Sequence, residues 1–368
     1  MSTTSAYIHI PFCRGGKCNY CSFTSFPDTD KKDKYFSCLE EEINTYYKGK
    51  KLKTLYFGGG TPSAIETKYL SKIYKNFNLE NNAEKTIEVN PNDVNQTYMT
   101  ELYDIGFNRI SMGAQSFDDD ILKTIGRRHS AKEIYKAVET IKNAGFKNIS
   151  IDLIYGLPNQ TLEGFRHDLT EALNLGIQHL SLYGLKIEEG CYFYKHPPKN
   201  LPDGDMQADM YLLAGDITKD YGFEHYEISN YSLPNYYSRH NTNYWKANEY
   251  YGFGISAHGY IDGVRYGNAE TFDDYFKAPA THKQTKVLTE QEKLEEKIFL
   301  GFRLSNGINI EEINNEFNIN FKKKYKTVLD KYLSTEHIEE TQTGYRLSDD
   351  KNHNGFLVSN VILSEFLG

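Results

Sequence analysis

The feature that most restricts the fold is an alternation of short strand-like and longer helix-like segments through the first half of the chain. Apolar runs predict strands at residues 7–11, 52–57, 86–89, 109–112, 149–154 and 179–185. Apolar residues at helical spacing predict helices at residues 31–48, 68–77, 97–103, 132–144 and 162–175. Strands joined by helical crossovers favour a parallel sheet, which on curling gives a full or partial barrel. We therefore predict an α/β fold of this kind.

The pattern changes after about residue 190. A helix is predicted at residues 206–221, and a loop-rich region with many polar and aromatic residues follows from 225 to 268. From residue 288 onwards, helical segments and one strand pair at 338–347 predict a small helical or winged-helix unit.

Unusual residues lie where the predicted strands end. A cysteine-bearing loop follows the first strand, and the run Gly58–Pro62 follows the second. Glu88, Gln115 and Asp152 lie at or beside the ends of the next three strands. Loops at the carboxyl ends of parallel barrel strands carry the chemistry of such folds. The sequence therefore predicts one site built from these loops.

Three cysteines within nine residues, Cys13, Cys18 and Cys21, indicate metal binding. The chain has five cysteines, an odd number, and the close spacing of these three does not suit a disulfide framework. Thiolates are soft ligands that suit iron–sulfur clusters and zinc. Three cysteines would leave one iron of a 4Fe–4S cluster open to a small molecule. A structural zinc site would need a fourth ligand, for which Cys38 and His9 are the nearest candidates.

Charge and hydropathy limit the partners and the location. The net charge of -8 gives no support for bulk nucleic-acid binding, so no nucleic-acid partner is expected. The start of the sequence does not have the pattern of a secretory signal, and no run of about 18 apolar residues predicts a membrane-spanning helix. We expect a cytoplasmic protein, with peripheral membrane contact left open.

A series of motifs resembles the radical-SAM proteins around oxygen-independent coproporphyrinogen III oxidase and the heme chaperones HemW. In chain order they are Tyr7–Phe23, Phe57–Pro62, Glu88–Pro91, Gly113–Phe117, Gly126–His129, Asp152–Pro158, Tyr226–Asn230 and Ser238–Trp245. The resemblance covers nearly the whole chain. It implies a partial (β/α)6 radical-SAM barrel followed by a small C-terminal α+β domain of HemN type. We divide the chain into a radical-SAM core (1–225), a connecting region (226–285) and the C-terminal domain (286–368).

The same resemblance implies a 4Fe–4S cluster on Cys13, Cys18 and Cys21 with S-adenosylmethionine (SAM) bound to it. The residues that would contact SAM are Tyr7, Gly59, Gly60, Thr61, Glu88, Gln115, Arg127 and Asp152. Glu88 would hold the amino group, Arg127 the carboxylate, and Gln115 and Asp152 the ribose and nearby polar atoms. This matches their chemistry, because an ammonium attracts a carboxylate and a carboxylate suits a guanidinium fork.

The cysteine spacing departs from the family pattern. The usual spacing is Cys-x3-Cys-x2-Cys, whereas here four residues separate Cys13 from Cys18. Two of them, Gly15 and Gly16, can take backbone angles closed to other residues. A local bulge at these glycines could absorb the extra residue.

Three features favour the heme-chaperone branch over the oxidases. Phe23 stands where the oxidases carry a further cysteine, and only a few residues precede the motif at Tyr7 instead of about fifty. The motif His240-Asn-x-x-Tyr244-Trp245 is typical of the chaperone branch. His240 is therefore a candidate heme contact, the alternative being that His240 and Trp245 pack a domain junction.

We expect a heme chaperone that binds heme and a SAM-ligated cluster and delivers heme to acceptor proteins, membrane-associated acceptors included. The first alternative is a true coproporphyrinogen III oxidase that acts through a SAM-derived radical. The second is a structural zinc or interaction protein. The missing fourth cysteine favours the chaperone, whereas other histidines (His9, His129, His225 and His258) are expected to be structural or close to the cluster.

Overall fold

The computed structural model describes residues 5–27 and 29–367, and its core is a nine-stranded sheet. The six central strands run parallel to one another, each paired with the next along the chain. They are β1 (Ser5–Ile10), β2 (Leu52–Gly59), β3 (Leu79–Val89), β4 (Arg109–Gln115), β5 (Ile149–Tyr155) and β6 (His179–Gly184). All six predicted strands are present, which confirms the α/β prediction.

Helices connect these strands and cover the outer face of the sheet. They are α1 (Lys32–Tyr46), α2 (Thr67–Tyr74), α3 (Gln96–Ile105), α4 (Asp119–Thr124), α5 (Ala131–Asn143) and α6 (Leu162–Asn174). Only α4 was not predicted. It is six residues long and begins where the Asp118 side chain accepts hydrogen bonds from the backbone N–H groups of Asp120 and Ile121.

Alternation along the strands gives the sheet two different faces. In β5, Ile149, Ile151 and Leu153 belong to the main hydrophobic core, whereas the intervening Ser150 and Asp152 carry polar groups. Because successive side chains of a strand point to opposite faces, the polar set faces the hollow of the curled sheet. Site residues are thereby placed inside the barrel.

Three further strands extend the sheet at its edges: β7 (Glu224–Glu227), β8 (Asn230–Ser232) and β9 (Tyr251–Phe253). β8 pairs antiparallel with β6 and with β7, and β9 pairs parallel with β1. Within the described residues β7 and β9 form opposite edges that do not pair, so the barrel is partial. The sequence-based boundary between residues 225 and 226 falls within β7, and the domain limits remain a prediction.

The segment between β6 and the C-terminal unit packs around the open barrel. It contains α7 (Tyr192–Lys195), α8 (Gly204–Asp220), α9 (Arg239–Trp245), α10 (Phe272–Lys277) and an antiparallel sheet of β10 (His258–Ile261), β11 (Val264–Gly267) and β12 (Gln284–Val287). The predicted helix at 206–221 corresponds to α8. The region predicted as loops thus contains several short strands and one helix.

The C-terminal unit has its own core. Its elements are α11 (Glu290–Gly301), β13 (Ile308–Asn309), α12 (Ile310–Phe317), α13 (Phe321–Lys324), α14 (Lys326–Ser334), β14 (Ile338–Glu340), β15 (Gly344–Leu347) and α15 (Ser359–Ser364). The predicted strand pair at 338–347 is the β14–β15 hairpin. Phe302, Phe321, Leu347 and Ile362 are completely buried in a hydrophobic cluster separate from that of the barrel. No described helix combines the length and apolar character needed to cross a membrane.

Candidate functional site

A pocket of about 390 Å³ opens at the carboxyl ends of the barrel strands. Its lining includes every sequence-predicted site residue except Tyr7 and His240. The site residues that line the pocket are Cys13, Cys18, Cys21, Gly59, Gly60, Thr61, Glu88, Gln115, Arg127 and Asp152. We call this cavity the cysteine pocket. Side chains from residues 13 to 152 of the sequence therefore meet at one place.

The cysteine loop is closed at its base by backbone hydrogen bonds. Cys13 N–H donates to the Phe26 carbonyl (2.9 Å), and Phe26 N–H donates to the Pro11 carbonyl (2.7 Å). Gly15 and Gly16 have φ angles of +80° and +104°, a region that side chains disfavour. A β-carbon on Gly15 would lie 1.6 Å from a guanidinium nitrogen of Arg128. The extra residue of the Cys13–Cys18 spacer is thus accommodated by a glycine turn.

The three thiols line the pocket but are not drawn together. Cys13 Sγ donates to the Gly16 carbonyl (3.2 Å), and Arg127 Nη1 donates to Cys18 Sγ (3.4 Å). Burial raises the pKa of the Cys21 thiol to about 11. Among the described residues, no group of three or more His, Cys, Asp or Glu side chains is placed to hold a metal ion as it stands. Binding a cluster would require the thiols to ionise and converge.

The donor set fits an iron–sulfur cluster better than a closed zinc site. Three soft ligands lie on one loop that faces an open pocket, which leaves space for a further small ligand. Cys38 lies in α1, buried in the main core. His9 donates from Nε2 to the Thr24 carbonyl (2.9 Å), so Nδ1 accepts from the Tyr7 hydroxyl (3.1 Å). Neither Cys38 nor His9 is available as a fourth zinc ligand in this arrangement.

Arg127 connects the cysteine loop to the strand ends. Besides Cys18, its guanidinium donates to Asn90 Oδ1 (2.8 Å) and to the Gly113 carbonyl. Asn90 Nδ2 in turn donates to Thr61 Oγ1 (3.2 Å). Arg127 Nε has no hydrogen-bond partner among the described residues. A half-buried cation with a buried, unused donor suits an anionic group such as a carboxylate.

Glu88 lies at the end of β3 beside the glycine run. Its carboxylate accepts from the Tyr56 hydroxyl (2.8 Å) and from Gly59 N–H (3.1 Å). Burial raises its pKa to about 7; the Tyr56 bond opposes the shift, and the charge of Asp152 adds to it. A β-carbon on Gly58 would lie 2.8 Å from Glu88 Oε1, so glycine is needed for this close approach. The result is a desolvated carboxylate facing the pocket.

Gln115 and Asp152 occupy the neighbouring strand ends. The register between β4 and β5 shifts between Gly113 and Gln115, and Gln115 has φ +72°. This irregularity re-aims the side chain at the end of the strand. Asp152 accepts from the Ser111 hydroxyl (3.2 Å), and burial raises the pKa of its carboxyl group. Both side chains offer oxygen acceptors that suit hydroxyl groups of a ligand.

Tyr7 lies beside the cysteine pocket and does not line it. Its ring stacks on Tyr56, with ring centroids 6.0 Å apart, and its hydroxyl donates to His9. Since Tyr56 also donates to Glu88, Tyr7 supports the pocket wall from behind. In this structure Tyr7 contributes to a second, adjacent cavity.

His240 is buried within the fold, with 2% of its surface exposed. The Thr54 hydroxyl donates to Ser5, so it accepts from His240 Nδ1 (2.8 Å), and His240 Nε2 then accepts from the Tyr244 hydroxyl (2.8 Å). Burial lowers the pKa of the ring to about 3, so it is neutral. Heme contact by His240 would require one of these hydrogen bonds to break.

A second cavity, of about 630 Å³, was not foreseen from the sequence. Its walls include four tyrosines, Tyr7, Tyr244, Tyr250 and Tyr260, together with the exposed His258. Ser22 and Phe23 line both cavities, so the cysteine loop separates them. We call this cavity the aromatic pocket. The aromatic residues between 225 and 268 were its only sequence signal.

Comparison with known proteins gives consistent matches. Residues 7–172 match the radical SAM superfamily, and residues 288–350 match the HemN C-terminal domain. The chain is 38% identical to the heme chaperone HemW of Lactococcus lactis, over 99% of this chain and 97% of that protein. It is 35% identical to the heme chaperone HemW of Bacillus subtilis, over 99% of each.

Among solved structures, the chain is similar to coproporphyrinogen III oxidase (HemN) from Escherichia coli, with a TM-score of 0.86. The match covers 99% of this chain and 90% of that one, at 21% identity. At this level of identity the similarity establishes the shared fold alone. It confirms the predicted radical-SAM barrel with a C-terminal domain.

Proposed function

Because the chain belongs to the HemW family of the radical SAM superfamily, we propose that it is a heme chaperone, which binds heme and a SAM-ligated 4Fe–4S cluster and delivers heme to acceptor proteins. The observation that carries the proposal is the identity of 35–38% to proteins named heme chaperone HemW over 97–99% of their length. The partners are then heme and heme-accepting proteins, and the expected location is the cytoplasm, at the membrane where an acceptor lies there.

We propose that the cysteine pocket holds the cluster and SAM. Cys13, Cys18 and Cys21 would bind three irons as thiolates, leaving one iron for SAM. When bound, the cluster supplies one-electron chemistry. Arg127 would orient the carboxylate of SAM with its free Nε donor, and Glu88 its amino group. Both side chains are held by hydrogen bonds that exist without the ligand.

Gln115 and Asp152 would orient the ribose of SAM. Their oxygen atoms line the same cavity, and the Ser111 hydroxyl fixes the Asp152 carboxylate. Gly59, Gly60 and Thr61 would present the backbone at the end of β2 to the ligand. A β-carbon at Gly59 or Gly60 would clash with the His9 ring or with the Phe12 backbone, so glycine is needed at both positions. The proposed contacts on SAM therefore come from the ends of four successive strands, β2 to β5, and from Arg127 between α4 and α5.

The alternative function is oxidation of coproporphyrinogen III. It shares the fold, so the fold does not separate the two functions. Phe23 is 68% exposed at the mouth of the cysteine pocket, where the resemblance places a further cysteine in the oxidases. An exposed phenyl ring has no acid–base or redox chemistry to replace a thiol. This residue favours the chaperone.

Hemin titration of cluster-loaded protein tests the proposal. The protein is reconstituted anaerobically and titrated with hemin while the visible spectrum is recorded. We expect saturable binding of about one heme per chain, with a spectrum distinct from that of free hemin. Heme-loaded protein mixed with a heme-free acceptor hemoprotein should then transfer its heme. Absence of saturable hemin binding would remove the chaperone proposal.

A further inference from the structure

The aromatic pocket has the size and lining of a site for a large flat ligand. Its volume of about 630 Å³ lies within the usual range of ligand sites, about 300–1,000 Å³. Tyr244 and Tyr250 meet edge to face, with ring centroids 4.6 Å apart, and Leu300 adds an aliphatic surface. Aromatic and aliphatic walls favour a planar, mainly apolar molecule.

His258 provides a free imidazole in this pocket. Its side chain is exposed, and among the described residues neither of its ring nitrogens has a hydrogen-bond partner. The other two histidines close to the pocket differ, because both nitrogens of His9 and of His240 are occupied. A neutral imidazole with a free nitrogen is the commonest protein ligand for metals, including heme iron. His258 can therefore bind an iron without breaking a contact.

The position of the His258 ring is set by the backbone of the adjoining strand. His258 begins β10 and pairs with Gly267 at the end of β11. A β-carbon on Gly267 would lie 2.9 Å from Cε1 of the His258 ring. The ring thus lies across a position that only glycine leaves open, and it is held without a hydrogen bond.

Arg265 places a positive charge in the same wall. It forms an ion pair with Glu296 (2.6 Å) and lies over the Tyr260 ring, 5.5 Å from the centroid. About a third of its side chain is exposed, so it remains within reach of an anionic substituent. A flat, apolar ring with carboxylates at one edge would meet an apolar wall and a cation here.

We propose that the aromatic pocket is the heme site and that His258 is the ligand of the heme iron, an inference that rests on the proposed function. Tyr244 and Tyr250 contact the porphyrin, and Arg265 lies near its carboxylates. His240 acts as a positioning residue, since it holds the Tyr244 hydroxyl from the buried side. Heme then lies against Ser22 and Phe23, which separate it from the cysteine pocket.

Hemin titration of His258→Ala tests the assignment. The wild type, His258→Ala and the control His196→Ala, an exposed histidine that lines neither pocket, are compared in cluster-loaded form. We expect His258→Ala to bind hemin about tenfold more weakly, or weaker still, and to show a shifted Soret band. Added free imidazole should restore the wild-type spectrum. His196→Ala should match the wild type. Unchanged affinity and spectrum in His258→Ala would overturn the inference while leaving heme binding intact.

A measurement on the wild-type protein covers the case in which the variant does not fold. Diethylpyrocarbonate modifies exposed imidazoles, and mass spectrometry gives the modified fraction at each histidine. We expect saturating hemin to protect His258 and to leave His196 reactive. Equal modification of His258 with and without bound hemin would overturn the inference. Failure of the wild type to bind hemin at all would instead count against the proposed function.

Discussion

Lowering the pH from 7 to 6 is predicted to weaken SAM binding through Glu88. The Glu88 side chain is half-buried at the wall of the cysteine pocket, and desolvation raises its pKa to about 7 in the ligand-free protein. The proposed contact with the amino group of SAM requires the ionised carboxylate. The α-amino group of the ligand, with an ordinary pKa near 8, stays protonated in this range. Affinity should therefore rise with pH until Glu88 is ionised.

The size of the effect follows from the ionised fraction of Glu88. With a pKa of about 7, roughly a tenth of the carboxylate is ionised at pH 6 and about half at pH 7. The dissociation constant for SAM should then fall about fivefold between these pH values, or ~1 kcal/mol. In Glu88→Gln the pH dependence should disappear, and binding at pH 7 should be weaker because the carboxylate charge is absent.

The assay is equilibrium titration of cluster-loaded protein with SAM at pH 6.0, 6.5 and 7.0, with iron content checked at each pH. Glu84→Gln is the matched control. Glu84 is buried on the same face of the same strand, but it accepts from the backbone N–H groups of Arg239 and His240 and does not line the cysteine pocket. The reasoning would be refuted if the wild-type affinity for SAM did not change with pH. It would also be refuted if the affinity of Glu88→Gln kept the pH dependence of the wild type.

Three further predictions follow from contacts in and around the site. Gly60→Ala should abolish SAM binding and lower retained iron, because a β-carbon would lie 2.7 Å from the backbone oxygen of Phe12; normal iron content and affinity would contradict this. Arg127→Lys should weaken SAM binding about tenfold or more, since an ammonium cannot replace the guanidinium fork. Titration with SAM measures the affinity, and a variant with wild-type affinity would contradict this prediction. Glu42→Gln should lower the free energy of unfolding by about 1–3 kcal/mol, because an amide would face the donors of Gly254, Asn268 and Tyr275. Burial raises the pKa of Glu42 to about 7, so the wild type should lose part of its stability as pH rises from about 4.5 to 7, and the variant should lack that component. Urea unfolding at several pH values measures both effects, and equal stability of the two proteins would contradict them.

The barrel was predictable because its strands are short, apolar and separated by helical periodicity. The start of β3 was missed since residues 80–82 are Glu-Asn-Asn, which do not resemble a strand. α4 was missed because six residues span fewer than two helical turns. Strands β8 and β9 have three residues each, too few for a reliable alternation pattern.

The cysteine pocket was also largely predictable, because motifs at strand ends converge in any parallel barrel. The placement of Tyr7 and His240 was not predictable, because it depends on stacking and hydrogen bonds between segments that are distant in the sequence. His240 in α9 reaches Thr54 in β2, nearly two hundred residues earlier. The aromatic pocket combines the cysteine loop, residues 244–270 and α11, and no local pattern connects these segments.

The central claim, that the chain carries heme and does not oxidise coproporphyrinogen III, is tested most directly by two assays on one anaerobically reconstituted preparation. One is titration with hemin; the other is turnover of coproporphyrinogen III with SAM and a reductant, with Cys18→Ala as the control. We predict saturable hemin binding and no turnover above that of Cys18→Ala. Turnover clearly above the control would contradict the account.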